Sequence, residues 1–303
     1  MKQTESLESA YGRCSKLAKS HYENFPVGLF VPKHLQKHVH AVYAFARVSD
    51  DIADEGYSDP RVEGHRRHAL SEAERSEQMA YFREQLRRCL EGQLVEPTYQ
   101  WIFLPLQDTI NKCQLPAHLF YDLLSAFQQD IEKRRYANIE EVLDYCRRSA
   151  NPIGRLVLHL HGIRDEELHI LSDHICTGLQ LANFWQDISV DLGKDRIYLP
   201  QDALKKHWVE EDELFSGVPG MGFTACVKEQ VQLAQEHFDQ GRPLLPALAC
   251  YSGKLAWEIR MTWLGGTTIL EKIRRRGYDT LSKRPKLSKF DFVTLFLKSF
   301  IFR

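Results

Sequence analysis

The chain has 303 residues, 43% of them hydrophobic, with 40 basic side chains against 41 acidic ones. That length allows one large domain or two small ones, and the near-neutral balance excludes a global attraction to nucleic acid. The seven cysteines are scattered, odd in number and without a C-x-x-C pair, which speaks against a zinc site or a disulfide framework and for a reducing cytosol.

Helical periodicity dominates from the start. The stretch Met1 to Ala10 is polar and lacks the apolar segment of a signal peptide. No run of roughly 18 apolar residues predicts a membrane span. From His34, apolar residues at Leu35, Val39, Val42, Tyr43 and Ala46 recur at helical spacing into an acidic run, and Gly56 is the expected stop. Ser76 to Leu90, Leu119 to Glu132 and Asn138 to Ser149 read as further helices. Asn151-Pro152-Ile153-Gly154 predicts a kink, because proline removes a backbone donor and glycine permits close approach. Leu171 to Val190 is a long helix carrying a second acidic run. A loop follows over Gly193 to Pro200, and a new helix is expected at Pro200 to Asp202. Phe223 to Phe238 and Leu244 to Ile273 are the late helices, the second marked at Pro246 and at Gly265-Gly266. The tail is basic from Arg274 to Lys289 and apolar from Phe290 to Phe302. One all-α domain over 1–303 is expected, with a core of about 10–285 and a tail of 286–303.

The two acidic runs carry the chemistry. Asp50 and Asp54, and again Asp187 and Asp191, stand four residues apart, and on a helix such positions share one face. Like charges held there repel unless a cation joins them. Mg²⁺ takes one or two carboxylates and completes its shell with water and phosphate oxygens, so the pattern points to a metal-bound diphosphate. Apolar neighbours surround each run. Gln180, Asn183, Asp187 and Asp191 form a polar stripe that suits a ligand shell better than a core. Arg47, one turn before Asp50, reads either as a surface ion pair or as a bidentate clamp on diphosphate. Arg196 and Tyr198, in the loop after the second run, read as phosphate and cavity contacts or as an exposed Arg and a core Tyr. Tyr145 is a candidate cavity aromatic. His21, Tyr22, Asn24 and Phe25 form a mixed cluster near the start that fits a substrate contact or an ordered loop. The paired histidines His38 and His40, His65 and His68, and His159 and His161 join no metal set. The basic tail reads as solvated or as attracted to anionic lipid heads, and its apolar end admits loose membrane contact.

Tyr43-Ala44-Phe45-Ala46-Arg47 leading into Asp50 to Asp54, then Gln180-Leu181-Ala182-Asn183 leading into Asp187 to Asp191 and Arg196-Ile197-Tyr198, resembles the head-to-head trans-isoprenyl diphosphate synthases that make squalene, dehydrosqualene and phytoene. The resemblance covers roughly residues 10 to 285. Glu23-Asn24-Phe25-Pro26, Ser149 to Arg155 and Asn183-Phe184-Trp185-Gln186-Asp187 look most like the bacterial hydroxysqualene synthase branch of hopanoid gene clusters. Relatives commonly carry Ser-x-Ser-Phe where His21 to Phe25 stands, and Arg where Gln186 stands.

The resemblance implies a bundle of α-helices around a deep apolar cavity with the Asp motifs at its mouth. It implies Mg²⁺ (or Mn²⁺) on Asp50, Asp54, Asn183, Asp187 and Asp191, and substrate contacts from His21, Asn24, Tyr43, Arg47, Gln180, Asn183, Arg196 and Tyr198. The implied reaction turns presqualene diphosphate into hydroxysqualene by ionisation, rearrangement and water capture, with Tyr145 or Asn151 holding the water. No G-x-G-x-x-G follows a strand, and NADPH is not expected. A cytoplasmic enzyme is expected, peripheral at most to the inner membrane face, with upstream and downstream pathway enzymes as partners. Two other readings stand beside it. One is a complete squalene or phytoene synthase condensing farnesyl or geranylgeranyl diphosphate. The other is a non-catalytic helical assembly factor, which would not need all four carboxylates.

Overall fold

The computed structural model describes residues 5–20, 31–57 and 70–301. His21, Tyr22, Asn24, Phe25, His65 and His68 lie outside them. The described residues are helical, with one isolated bridge between Arg135 and Ile197 and no strand. The chain divides into two compact units, residues 1–132 with 155–164, and residues 133–154 with 165–303.

The first unit holds α1 (Leu7–Ser20), α2 (Lys33–Asp54), α3 (Glu72–Leu90), α4 (Gln100–Cys113) and α5 (Ala117–Glu132). α2 packs against all four others. Its inner face, including Phe45, Val48, Ile52 and Ala53, is buried. Phe45 lies 5.5 Å from Phe82, 6.1 Å from Phe103 and 5.3 Å from Phe120, centroid to centroid. Such tilted and edge-to-face aromatic pairs add about 0.5–1.5 kcal/mol each beyond the area they bury. α3 begins four residues before the expected Ser76, because Ser71 and Glu74 form a reciprocal capping box. α1 and α4 were not expected.

The second unit opens with α6 (Ile139–Ser149), which starts where expected and is capped by the Asn138 side chain. α7 (Asn151–Leu160) starts here with Pro152 in its first turn, where a missing N–H is tolerated. Its residues from Arg155 belong to the first unit. Then come α8 (Glu166–Leu192), α9 (Gln201–Lys206), α10 (Glu211–Phe215), α11 (Met221–Gly241), α12 (Leu244–Ala247), α13 (Gly253–Arg275) and α14 (Lys289–Ile301). α8 packs against α11 and α13. The expected helix from Leu244 to Ile273 is instead two, separated by a 3₁₀ turn at Leu248–Cys250 and restarted by Ser252, whose hydroxyl accepts from the Leu255 amide. Gly265-Gly266 does not interrupt α13. A Cβ on Gly266 would stand 2.4 Å from the Phe238 ring, so the glycine there serves close packing.

Gly154 has the same use. A Cβ there would meet Ser172 Oγ at 2.4 Å and Cys176 Sγ at 2.5 Å, so the close approach expected at this kink is made by α8. All seven cysteines are free. Burial pushes the thiols of Cys14, Cys89, Cys176 and Cys226 up to about 12, and that of Cys146 upward as well. Cys250 is exposed.

Candidate active site

The first acidic motif occupies the last two turns of α2. Tyr43, Arg47, Asp50, Asp51 and Asp54 are all partly exposed, whereas Phe45, Val48, Ser49, Ile52 and Ala53 are buried. The helical period thus sorts core from chemistry, and the carboxylates reach one accessible face. Arg47 lies among them, 3.4 Å from Asp50 and 2.5 Å from Asp51. Asp51 as a partner was not singled out from sequence. Each of these side chains is a third or more exposed, so the pairs add little stability. The Arg47 Nε is nonetheless buried without a hydrogen-bond partner.

Arg75, on α3, completes this end. Its Nη1 donates to the Ala53 carbonyl and, at 3.1 Å, to the Asp54 carbonyl. These oxygens belong to the last turn of α2, where carbonyls lack helical partners and the dipole is negative. A cation on them steadies the turn that carries Asp54. No sequence pattern pointed to Arg75, because the contact joins two helices.

The second motif ends α8. Leu181, Ala182, Phe184, Trp185 and Ile188 are buried, while Gln180, Asn183, Gln186, Asp187 and Asp191 lie on accessible positions. Asn183 donates from its amide to Asp187 at 3.1 Å. Arg284 grips the same carboxylate with two nitrogens, its Nη2 at 2.9 Å from Oδ2 and its Nε on Oδ1. Next to it, Gln186 donates to the Pro285 carbonyl at 2.7 Å. The segment around Arg284, read from sequence as a solvated basic tail, is therefore fastened to the end of α8.

The loop after α8 is fixed in turn. Ile197 N–H donates to the Arg134 carbonyl and Gln201 N–H to that of Tyr136, both at 2.9 Å. Arg135 bonds the Asp195 carboxylate at 2.7 Å and holds it below the usual carboxylate range. Asp195 has a φ of 56°, a left-handed conformation that Asp tolerates better than most residues. The Arg196 N–H donates to the Asp191 carbonyl at 2.9 Å. Arg196 and Asp191 also share the lining of a small pocket with Phe184, Ile188, Ile197 and Tyr198. Its volume of about 10 Å³ admits no more than a water.

Tyr145 and Tyr198 come together in one aromatic cluster. Phe184 stacks on Tyr198 at 3.7 Å, Tyr136 stacks on its ring at 5.4 Å, and Tyr145 lies 6.1 Å from Tyr198 and 5.8 Å from Phe184. All four are at least nine-tenths buried. Tyr136 was not anticipated. Asn151 accepts from Thr177 Oγ1 at 3.0 Å, which engages the amide oxygen considered for holding a water.

Among the described residues, no three His, Cys, Asp or Glu side chains converge as a ready-made metal site. The donors on each helix are hard oxygens in groups of two or three, which suits Mg²⁺ better than a softer ion. That ion accepts one or two carboxylates and draws the rest of its shell from water and phosphate. The donor set therefore fits Mg²⁺ brought in with a diphosphate. His38 and His40 are satisfied within the first unit, bonded to Thr109 at 2.8 Å and Ser15 at 2.9 Å.

Comparison with known proteins places this geometry. A profile described as squalene/phytoene synthase matches residues 17–291. Hydroxysqualene synthase of Sinorhizobium fredii is 29% identical over 273 residues, spanning 89% of this chain and 85% of that protein. Phytoene synthase of Thermus thermophilus is 27% identical, spanning 99% of this chain and 96% of that one. The crystal structure of squalene synthase HpnC from Alicyclobacillus acidocaldarius superposes with a TM-score of 0.78 at 39% identity, covering 90% of this chain and 96% of that chain. The chain belongs to the squalene/phytoene synthase family and has its all-α isoprenoid-synthase fold.

Proposed function

We propose that this enzyme converts presqualene diphosphate into hydroxysqualene in a Mg²⁺-dependent reaction. The observation that carries the reading is the end of α8. Asp187 and Asp191 stand there as carboxylates, while position 186 holds a neutral amide committed to the Pro285 carbonyl. A site that handles one diphosphate already joined to its carbon skeleton has less need of a further cation there than one that must hold two.

Asp50, Asp54, Asp187 and Asp191, with Asn183, would hold Mg²⁺, and Mn²⁺ can replace it. Bound there, the metal neutralises charge on the departing diphosphate. Arg47 and Arg196 donate charge-assisted hydrogen bonds to the same leaving group. The carbon–oxygen bond breaks with its electron pair going to diphosphate, which leaves a cyclopropylcarbinyl cation. Aromatic faces favour such a cation, and the cluster of Tyr136, Tyr145, Phe184 and Tyr198 supplies them beside Asp191. After rearrangement, a water oxygen bonds to the cationic carbon and releases a proton. Tyr145 is assigned to orient that water, with Tyr43, Gln180, His21 and Asn24 as further substrate contacts. Every electron balances without NADPH. The substrate must come from a reaction that joins two prenyl diphosphates, and the product goes to a reaction that removes its hydroxyl.

The second reading, a condensing synthase that starts from two prenyl diphosphates, is favoured by the 39% identity to squalene synthase HpnC from Alicyclobacillus acidocaldarius. One experiment separates them. Purified enzyme with Mg²⁺ is given presqualene diphosphate or farnesyl diphosphate, each with and without NADPH, and products are read by mass spectrometry. Hydroxysqualene from presqualene diphosphate alone is the expected result. Presqualene diphosphate or squalene formed from farnesyl diphosphate would establish the condensing reading instead.

A further inference from the structure

α14 is fastened to α13. Leu295 and Ser299 are buried, Trp257 Nε1 donates to Ser299 Oγ at 2.9 Å and Arg260 donates to the Ser299 carbonyl at 2.9 Å. Lys272 pairs with Asp291 at 2.8 Å near the start of the helix. These contacts to α13 fix which way the remaining side chains point.

What they turn outward is apolar. Phe292, Val293, Phe296 and Leu297 recur at helical spacing on one face, with Phe290 beside them, and their exposures run from 40% to 78%. The Phe296 ring meets Trp257 edge-on at 6.1 Å along one side and still leaves about half its surface open. Of the sixteen exposed large hydrophobic residues among those described, five fall in this one 13-residue helix. Such residues scattered singly over a surface need no explanation, but a contiguous face does. The helix has no stretch able to cross a bilayer.

The surroundings are basic. From 283 to 298 the sequence has five basic side chains, Lys283, Arg284, Lys286, Lys289 and Lys298, against one acid, Asp291. Asp291 is already paired with Lys272, and Arg284 with Asp187. Lys283, Lys286, Lys289 and Lys298 are exposed. Arg275 at the end of α13 is 76% exposed, and its neighbour Glu271 is held by it at 2.7 Å. An apolar helical face edged by lysines matches the two layers of an anionic lipid surface, with acyl chains below and negative headgroups above.

We propose that α14 docks this enzyme on an anionic membrane surface, lying in the interface with Phe290, Phe292, Val293, Phe296 and Leu297 among the acyl chains. The lysines face the headgroups. The inference is independent of which prenyl reaction the enzyme performs.

The test is sedimentation of the purified full chain with vesicles of phosphatidylcholine alone or with about a third phosphatidylglycerol. Binding is expected to the anionic vesicles and to weaken strongly in 0.5 M salt, since each basic residue near such a surface is worth about fivefold in partition. The variant F292S/V293S/L297S should lower partition more than 100-fold, from about tenfold for each apolar side chain withdrawn. Its circular dichroism and its turnover of detergent-dispersed substrate should be unchanged. K286E/K289E/K298E should lose the preference for anionic lipid while keeping the same fold. Failure of the wild type to bind anionic vesicles, or binding unaltered by the serine variant, would overturn the proposal. So would a dimer in sedimentation velocity that the serine substitutions abolish, because a second copy would then cover this face.

Discussion

Arg284 sets both ends of its guanidinium fork on the carboxylate of Asp187, a residue 97 positions earlier in the chain. One of the carboxylates proposed to hold metal is thus also the anchor of the C-terminal segment. Under that proposal two cations, one organic and one inorganic, would call on the same pair of oxygens.

That competition has a measurable sign. Arg284→Gln keeps a donor but removes the charge, so Mn²⁺ bound by the purified enzyme without substrate should bind about fivefold more tightly, as read by electron paramagnetic resonance. Stability should change by less than about 1 kcal/mol, since the Arg284 side chain is a third exposed. Unchanged Mn²⁺ affinity would show that Arg284 and metal use separate faces of Asp187.

Asp50→Asn and Asp187→Asn should each reduce turnover by roughly 1000-fold, the several kcal/mol lost with a Lewis-acid contact. The Asp50 side chain is 43% exposed, and an amide at 187 keeps an oxygen acceptor for Arg284, so the fold should survive each change. Product formation followed alongside circular dichroism checks this, and full activity with Asn at either position would remove the metal assignment.

Gly154→Ala forces a methyl group to within 2.5 Å of Ser172 Oγ and Cys176 Sγ. Overpacking of this kind costs typically about 1–3 kcal/mol, seen as a lower thermal midpoint. Gly12→Ala, where no atom lies within 4 Å of the new methyl, should instead raise stability by up to about 1 kcal/mol through helix propensity. Equal effects at both sites would refute the close contact between α7 and α8.

Stability should fall in mild acid. Burial lowers the imidazole pKa of His38, His40, His161 and His237 below the ordinary 6.5, and for His237 the neighbouring His174 adds to it. With native values depressed, the unfolded chain binds more protons once pH drops through 6.5, so unfolding gains free energy there. Above that value all four are neutral in both states and the effect vanishes. Urea midpoints should therefore be flat from pH 8 to 7 and decline from pH 6.5 to 5.5. A rising midpoint over the acid range would contradict the sign.

The site helices were the most legible part of the sequence, and for a physical reason. α2 and α8 each combine a strict apolar period with acids on the opposite face, so helix, core and chemistry are written in the same residues. The start of α6 near Asn138 and the close approach at Gly154 were readable too, because each is a local signal. α4 escaped notice because Trp101, Ile102, Phe103 and Leu106 leave little amphipathic contrast and Pro105 looks like a breaker. α1 was hidden by its polar start. Gly265-Gly266 resembled a helix end, yet the reason for glycine there is the Phe238 ring brought in by another helix. Arg75 and Arg284 act across space on carbonyls and carboxylates of distant segments, and nothing local to either marks it.

The burial of the cysteines leaves an experimental handle. Cys14, Cys89, Cys146, Cys176 and Cys226 are held as thiols far above neutral pH, and only thiolates react quickly with alkylating probes. Cys113 is partly exposed, with a thiol raised by burial, and Cys250, exposed in the turn before α13, is the cysteine most open to labelling. With Cys113 replaced by Ser, a single fluorophore or spin label could thus be attached at Cys250, in the same unit as α14 and Asp187, without disturbing either.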